Sequence, residues 1–171
     1  MGDLRPGRAY RDFGVPYTRK SKYKSKNYVK MSQAPKITQY HSGNLSREFE
    51  KKLLIVSQTT RQIRDNALEA ARIIANKYLT DSVGDQNFHL VVVAYPHQVL
   101  REHKLATGAG ADRFSSGMQK SFGKPIGLAA RIRAGGTLFE IRLQPEHLGH
   151  AKIAATKIGK KLGIKTRSIL A

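Results

Sequence analysis

The stretch RQIRDNALEAARIIANKYLT, Arg61–Thr80, decides the fold. Ile63, Ala67, Leu68, Ala71, Ile74 and Tyr78 recur along it at helical spacing, so one face is apolar. Thr59, followed three residues later by Gln62, fits a capping box, and Gly84 lies just past the far end. The pattern predicts a helix over 61–80 whose exposed face mixes Asp65 and Glu69 with Arg64 and Arg72.

Outward from this helix the chain reads mostly as strand. Ile37 to His41 and Lys52 to Gln58 look like short strands on its N-terminal side. Phe88 to Tyr95 is a β-branched run suited to a strand buried on both faces, and after Pro96 the segment His97 to Lys104 reads as a second strand. Further on, Leu128, Ala130 and Ile132 alternate with Ala129, Arg131 and Arg133. Gly135 and Gly136 supply a hairpin turn, and Phe139, Ile141 and Leu143 alternate with Glu140 and Arg142 on the return strand. This hairpin is expected to present one apolar and one charged face.

Pro145 and Glu146 open a second helix, with Leu148, Ala151, Ala155, Ile158 and Leu162 as its buried stripe and Lys152, Lys157, Lys160 and Lys161 on its other face. A final strand runs from Ile164 to Leu170. Strands in runs with two helices between them imply an α+β fold, both helices packed on one side of a mostly antiparallel sheet.

The 171 residues suffice for one domain with a real core. Lys and Arg number 31 against 12 Asp and Glu, a formal net charge of +19, which is most naturally offset by a polyanion. The longest purely apolar run, Leu90 to Tyr95, is far short of the roughly 20 residues a membrane span needs. The N-terminus lacks the apolar core of a secretory signal, and Pro6 occupies the position where a myristoylation motif wants Ser or Thr. A cytoplasmic protein that does not contact membrane is expected. With no cysteine, disulfides, thiolate zinc ligands and thiol nucleophiles are excluded.

The charge is uneven. Residues 1–36 hold 10 basic and 2 acidic side chains, whereas residues 37–95 are nearly balanced at 7 and 6. Residues 96–145 hold 8 and 3, and residues 146–171 hold 6 and 1. The first segment has no periodicity, and Pro6, Gly7, Gly14 and Pro16 break it up. Its cations are interleaved with Tyr10, Phe13, Tyr17, Tyr23 and Tyr28, a composition that neutralises phosphates and stacks on unpaired bases. We read residues 1–36 as a basic, aromatic-interleaved RNA-binding extension and residues 37–171 as the α+β domain.

Between the strands lies a long loop, residues 105–126, within the stretch TGAGADRFSSGMQKSFGKPIG (Thr107–Gly127). Loops of this length in a compact domain are commonly functional. GAGADR begins like a dinucleotide-binding turn, but Arg113 stands where the third glycine belongs. GMQKSFGKP has five residues between Gly117 and Gly123 where a Walker loop has four, and Pro125 replaces the magnesium-binding hydroxyl. His147 and His150 share a helix face without a third ligand at metal spacing. No nucleophile, acid–base pair, metal or cofactor site emerges, and the protein is expected not to be an enzyme.

Particular residues say more than periodicity. Pro96 to Met118 (PHQVLREHKLATGAGADRFSSGM), Asn66 to Tyr78 (NALEAARIIANKY), Phe122 to Pro125 (FGKP) and Ala129 to Ile132 (AARI) closely resemble the archaeal and eukaryotic ten-e branch of the universal L-sixteen family of large-subunit ribosomal proteins. The opening Arg5 to Arg11 and VPYTRK (Val15–Lys20) fit the archaeal pattern more loosely. Asp65 stands where the family often has histidine, and Gln119 where it often has Arg.

The resemblance implies a ribosomal protein domain over 37–171 that binds large-subunit ribosomal RNA near the peptidyl-transferase centre, helps position aminoacyl transfer RNA, and has neighbouring ribosomal proteins as partners. The loop matching Leu105 to Ser115 reaches, in the family, toward the peptidyl site. On this reading Arg5, Arg8, Arg11, Arg19, Lys20, Lys22, Lys24 and Lys26 thread into ribosomal RNA. Arg101, Lys104, Arg113, Lys124, Arg131 and Arg133 line the side facing transfer RNA, and Lys120 adds charge within the loop. A free-standing RNA-binding or RNA-chaperone protein on the same fold is the alternative.

Overall fold

The computed structural model describes residues 5–14, 23–27, 34–103 and 123–171. Five strands form one antiparallel sheet in the order β1 (His41–Gly43), β4 (Phe88–Val92), β7 (Thr137–Leu143), β2 (Lys51–Ser57) and β8 (Thr166–Leu170). Three more form a second antiparallel sheet in the order β3 (Arg61–Arg64), β6 (Lys124–Ile132) and β5 (Gln98–Glu102). The helices are α1 (Asp65–Val83) and α2 (Leu148–Leu162). Among the described residues the α+β architecture with two α-helices stands, and the strands divide between two sheets.

The core follows from the period of two along the strands. Phe88, Leu90 and Val92 of β4 lie opposite Leu143, Ile141 and Phe139 of β7, and Leu53 and Ile55 of β2 lie opposite the same Ile141 and Phe139. These side chains face the helices and share one buried cluster with Leu68, Ala71, Ala75 and Leu79 of α1 and Ala151, Ala154 and Ile158 of α2. α1 packs over β1 and β4, and α2 over β2, β7 and β8. The two helices also pack on each other, and buried alanine on both lets their backbones approach.

Four expectations require correction. Residues 61–64 are strand β3, paired with Ala129–Ile132 of β6, and the helix begins at Asp65. Ile63 fits either period, and pairing with β6 decides for the strand. The Thr59–Gln62 capping box therefore does not form, and the Asp65 carboxylate instead accepts from the Asn66 N–H at 2.8 Å within the helix's own first turn. Second, the strand expected over 37–41 occurs over His41–Gly43, while the buried Ile37 precedes it outside any strand.

Third, β6 and β7 do not form a hairpin with each other. Gly135 takes φ +81, and the turn hydrogen-bonds to the end of β2, with the Gly135 N–H donating to the Ser57 carbonyl at 2.7 Å and the Ser57 N–H to the Gly136 carbonyl at 2.9 Å. The chain thereby passes from one sheet to the other, and Leu128, Ala129 and Ala130 are buried consecutively rather than alternately.

Fourth, Asp65 and Arg72 are buried rather than on the exposed face of α1, and Glu69 is half-buried beside them. Asp65 accepts from the Lys36 backbone N–H at 3.2 Å. Arg72 donates to both oxygens of Glu69 at 2.7 and 2.9 Å, to Thr38 at 3.2 Å and to Ser42 at 3.3 Å. These polar ties fasten the segment before β1 onto the helix.

Candidate nucleic-acid interface

The three-stranded sheet gathers many of the described candidates. Arg131 lies on β6, where its guanidinium stacks 4.5 Å over the Phe13 ring and donates to the Gly14 carbonyl at 3.0 Å. Residues 5–14 run beside edge strand β3, whose Gln62 N–H donates to the Arg11 carbonyl at 2.8 Å and whose Gln62 side-chain amide donates to the Tyr10 carbonyl at 3.0 Å. Arg64 donates to the Arg5 carbonyl at 2.9 Å, Arg61 pairs with Asp12, and the Tyr10 hydroxyl donates to the Arg101 carbonyl at 3.3 Å. These contacts hold residues 5–14 against both β3 and β5.

Several cations are thus partly engaged within the chain. Arg5 lies 3.9 Å from Glu102 and 6.0 Å from the Tyr10 ring, while Arg8 and Arg11 are exposed. Arg101, on β5, is half-buried and points a guanidinium N–H at the Gly123 carbonyl, 3.5 Å away. Lys124 and Arg133, at or beside the two ends of β6, are exposed. Lys26 lies 5.0 Å over the Tyr23 ring, in the same short 3-10 turn as Lys24. Arg19, Lys20, Lys22, Lys104, Arg113 and Lys120 lie outside the described residues, as do the two failed nucleotide motifs up to Phe122.

Sequence reasoning passed over two cations on the same sheet. Periodicity alone makes Arg61 and Arg64 helical, and only their place on edge strand β3 puts them next to residues 5–14. It noted the basic face of α2 without assigning it a task. A detectable signal was present: residues 147–171 contain six Lys and Arg and no Asp or Glu.

Elsewhere the ionisable groups serve structure. On the face of the large sheet away from the helices, Glu140 is held by Lys52 at 3.0 Å and Arg142 at 2.5 Å. Burial alone would raise its carboxyl, but the hydrogen bonds to Arg142 and Lys52 outweigh it and leave it below the ordinary carboxylate range. His89 packs nearby, its Nε2 3.1 Å from His41 Nδ1, and burial, with Arg142 and His41 adding, pushes its imidazole down. His150 Nδ1 lies 3.2 Å from the Tyr78 hydroxyl. Among the described residues no three His, Asp or Glu side chains come together as a metal-ligating group. Nor is any described helix long and apolar enough to cross a membrane.

Fold and surface define a class: a strongly basic α+β protein whose cations lie on an open sheet, an edge strand and a helix face rather than converging in a catalytic cleft. Comparison with known proteins makes this particular. The family model described as Ribosomal protein L16p/L10e matches residues 15–169. Over 167 residues the chain is 45% identical to Large ribosomal subunit protein uL16 of Staphylothermus marinus, covering 97% of this chain and 92% of that one. It is 46% identical to the protein of the same name from Sulfolobus acidocaldarius, with 96% and 92% covered, and 42% identical to that from Methanococcus aeolicus, with 98% and 94% covered. The chain belongs to the Ribosomal protein L16p/L10e family, in its archaeal form. It is a structural ribosomal protein and not an enzyme.

Proposed function

We propose that this chain is built into the large ribosomal subunit by ribosomal RNA close to the peptidyl-transferase centre, where it helps to position aminoacyl transfer RNA. The observation that carries the reading is kinship along nearly the whole chain with relatives named as large-subunit proteins. The charge distribution accords with it, because a net +19 needs a polyanion. Residues 1–36 thread into ribosomal RNA through Arg5, Arg8, Arg11 and the lysines that follow. The loop over 105–126, with Lys124 at its end and Arg101 beside it, reaches toward transfer RNA at the aminoacyl and peptidyl sites, and Arg131 and Arg133, toward the other end of β6, face the same partner. The loop's glycines let backbone pass close to phosphates. Neighbouring ribosomal proteins complete the set of partners, and the site of action is the cytoplasmic ribosome.

The first test is sedimentation of cell lysate on a sucrose gradient in about 0.5 M salt, where the Debye length is only about 4 Å. The protein is expected in the large-subunit fractions. Complete release to the top of the gradient would overturn integral membership and leave a free-standing RNA-binding protein as the better account.

A further inference from the structure

The C-terminal unit, α2 with β8, forms a surface of its own. A groove of about 270 Å³ runs between them, with Lys152, Thr156 and Lys160 of α2 on one side and Thr166 and Ser168 of β8 on the other. Its floor is close-packed. A Cβ on Gly159 would stand 2.6 Å from Thr166 Oγ1, so the glycine is what lets the helix lie this near the strand. β8 is the last strand of its sheet, with Thr166 and Ser168 on the groove side and Arg167 between them on the opposite face.

We propose that this groove is a second RNA-binding surface, in which Lys152 and Lys160 and the facing hydroxyls hold successive phosphates of a ribosomal RNA strand. It rests on the large-subunit reading above. Eight residues of α-helix separate the two lysines by about 12 Å, a span over which a nucleic-acid strand, with a charge about every 3.4 Å of axis, presents several phosphates. Ammonium groups beside hydroxyls are a phosphate-positioning set, and lysine acts there as a point charge without reading bases. Recognition is therefore of backbone and shape.

Other roles for these cations explain less. Lys160 lies in the last turn of α2, where it also offsets the helix dipole, but Lys152, two turns earlier, has no such task. Lys157 is turned away, its ammonium 3.7 Å from the Tyr78 ring centroid. An anionic membrane is a poor occupant, because the apolar stripe of α2 is buried in the core and cannot insert. The surface is also continuous with the candidates on the small sheet. A neighbouring groove of about 210 Å³ is lined by Arg11, Arg64 and Lys161, so Lys160 and Lys161 line one groove each.

The test measures the affinity of the full-length protein for large-subunit ribosomal RNA across about 50 to 200 mM salt. Wild type is compared with Lys152→Ala/Lys160→Ala, with Lys152→Arg/Lys160→Arg, and with Lys77→Ala on the exposed side of α1 as control. Each lost phosphate contact lowers the log–log salt slope by about 0.7–0.9. The alanine pair is expected to flatten it by about 1.4–1.8, so that across this range wild type loses roughly tenfold more affinity than the variant. The arginine pair and Lys77→Ala should keep the wild-type slope, with circular dichroism confirming the fold of each. An unchanged slope in the alanine pair would overturn the groove and leave the large-subunit reading intact. Absence of salt-dependent binding by wild type would instead overturn the large-subunit reading itself. Loss of polyglutamate binding in the alanine pair, with its RNA slope unchanged, would reassign the groove to an acidic protein and overturn the RNA assignment.

Discussion

Glu69 and Arg72 stand three residues apart on α1, on the face expected to be exposed, yet the fold buries Arg72 and pairs the two. The paired hydrogen bonds from Arg72 hold the Glu69 carboxyl below the ordinary carboxylate range, against an opposing push from burial. A carboxyl with a depressed folded pKa stabilises fully above its unfolded pKa of about 4.3, and that contribution is lost as pH falls through the folded value. Glu69→Gln is therefore expected to cost about 1–3 kcal/mol at neutral pH, as a charge-assisted pair becomes a neutral one beside a buried guanidinium. Thermal melts of both proteins from pH 7 to pH 3 should show the gap closing below pH 4. A gap that stays constant with pH would mean that the loss is one of packing and not of charge.

Among the elements, the join between α1 and α2 is the tightest to read. Ala71 and Ala75 on one helix and Ala151 and Ala154 on the other are wholly buried within the same cluster. Small residues there set how close the helices approach, so added volume has nowhere to go. Ala154→Leu is expected to destabilise by about 1–3 kcal/mol and lower the melting temperature by several degrees. Calorimetry checks it, and an unchanged melting temperature would mean that the interface can open. The elements also show why local pattern erred around Arg61. Four residues of β3 read as the first turn of α1, because Ile63 suits the apolar position of either, and only the partner β6, some seventy residues on, distinguishes them.

At the scale of the whole molecule, the described cations spread over the small sheet, the docked residues 5–14, and the groove of α2 with β8. β5 ends at Glu102 and β6 begins at Lys124, so residues 124–126, expected in the loop, are strand, and the rest of the loop joins two neighbouring strands of the sheet that carries Arg101 and Arg131. Deleting Ala106 to Ser115 is expected to impair translation more than subunit assembly, since the other cationic surfaces are untouched. Polysome profiles and the rate of peptide synthesis on purified subunits would decide it. A deleted protein that never enters the subunit would make the loop an assembly element instead.

Composition and local pattern were enough to determine that the protein is basic and α+β, that one helix begins within the stretch expected over 61–80 and a second follows Pro145, and that RNA rather than a nucleotide is the partner its charge suits. They also carried the family, because motifs such as FGKP and AARI are contiguous in sequence. What only the tertiary structure decided depends on pairings between distant residues. The split into two sheets turns on Gly135 and Gly136 hydrogen-bonding to Ser57 instead of closing a hairpin. The burial of Asp65 and Arg72 turns on a segment some thirty residues earlier lying across α1. The groove exists because β8 comes back beside β2, placing Thr166 and Ser168 against the lysines of α2. Side-chain periodicity reports what a residue's near neighbours bury, whereas strand order and the meeting of charges across a groove are set by contacts whose partners lie far away along the chain.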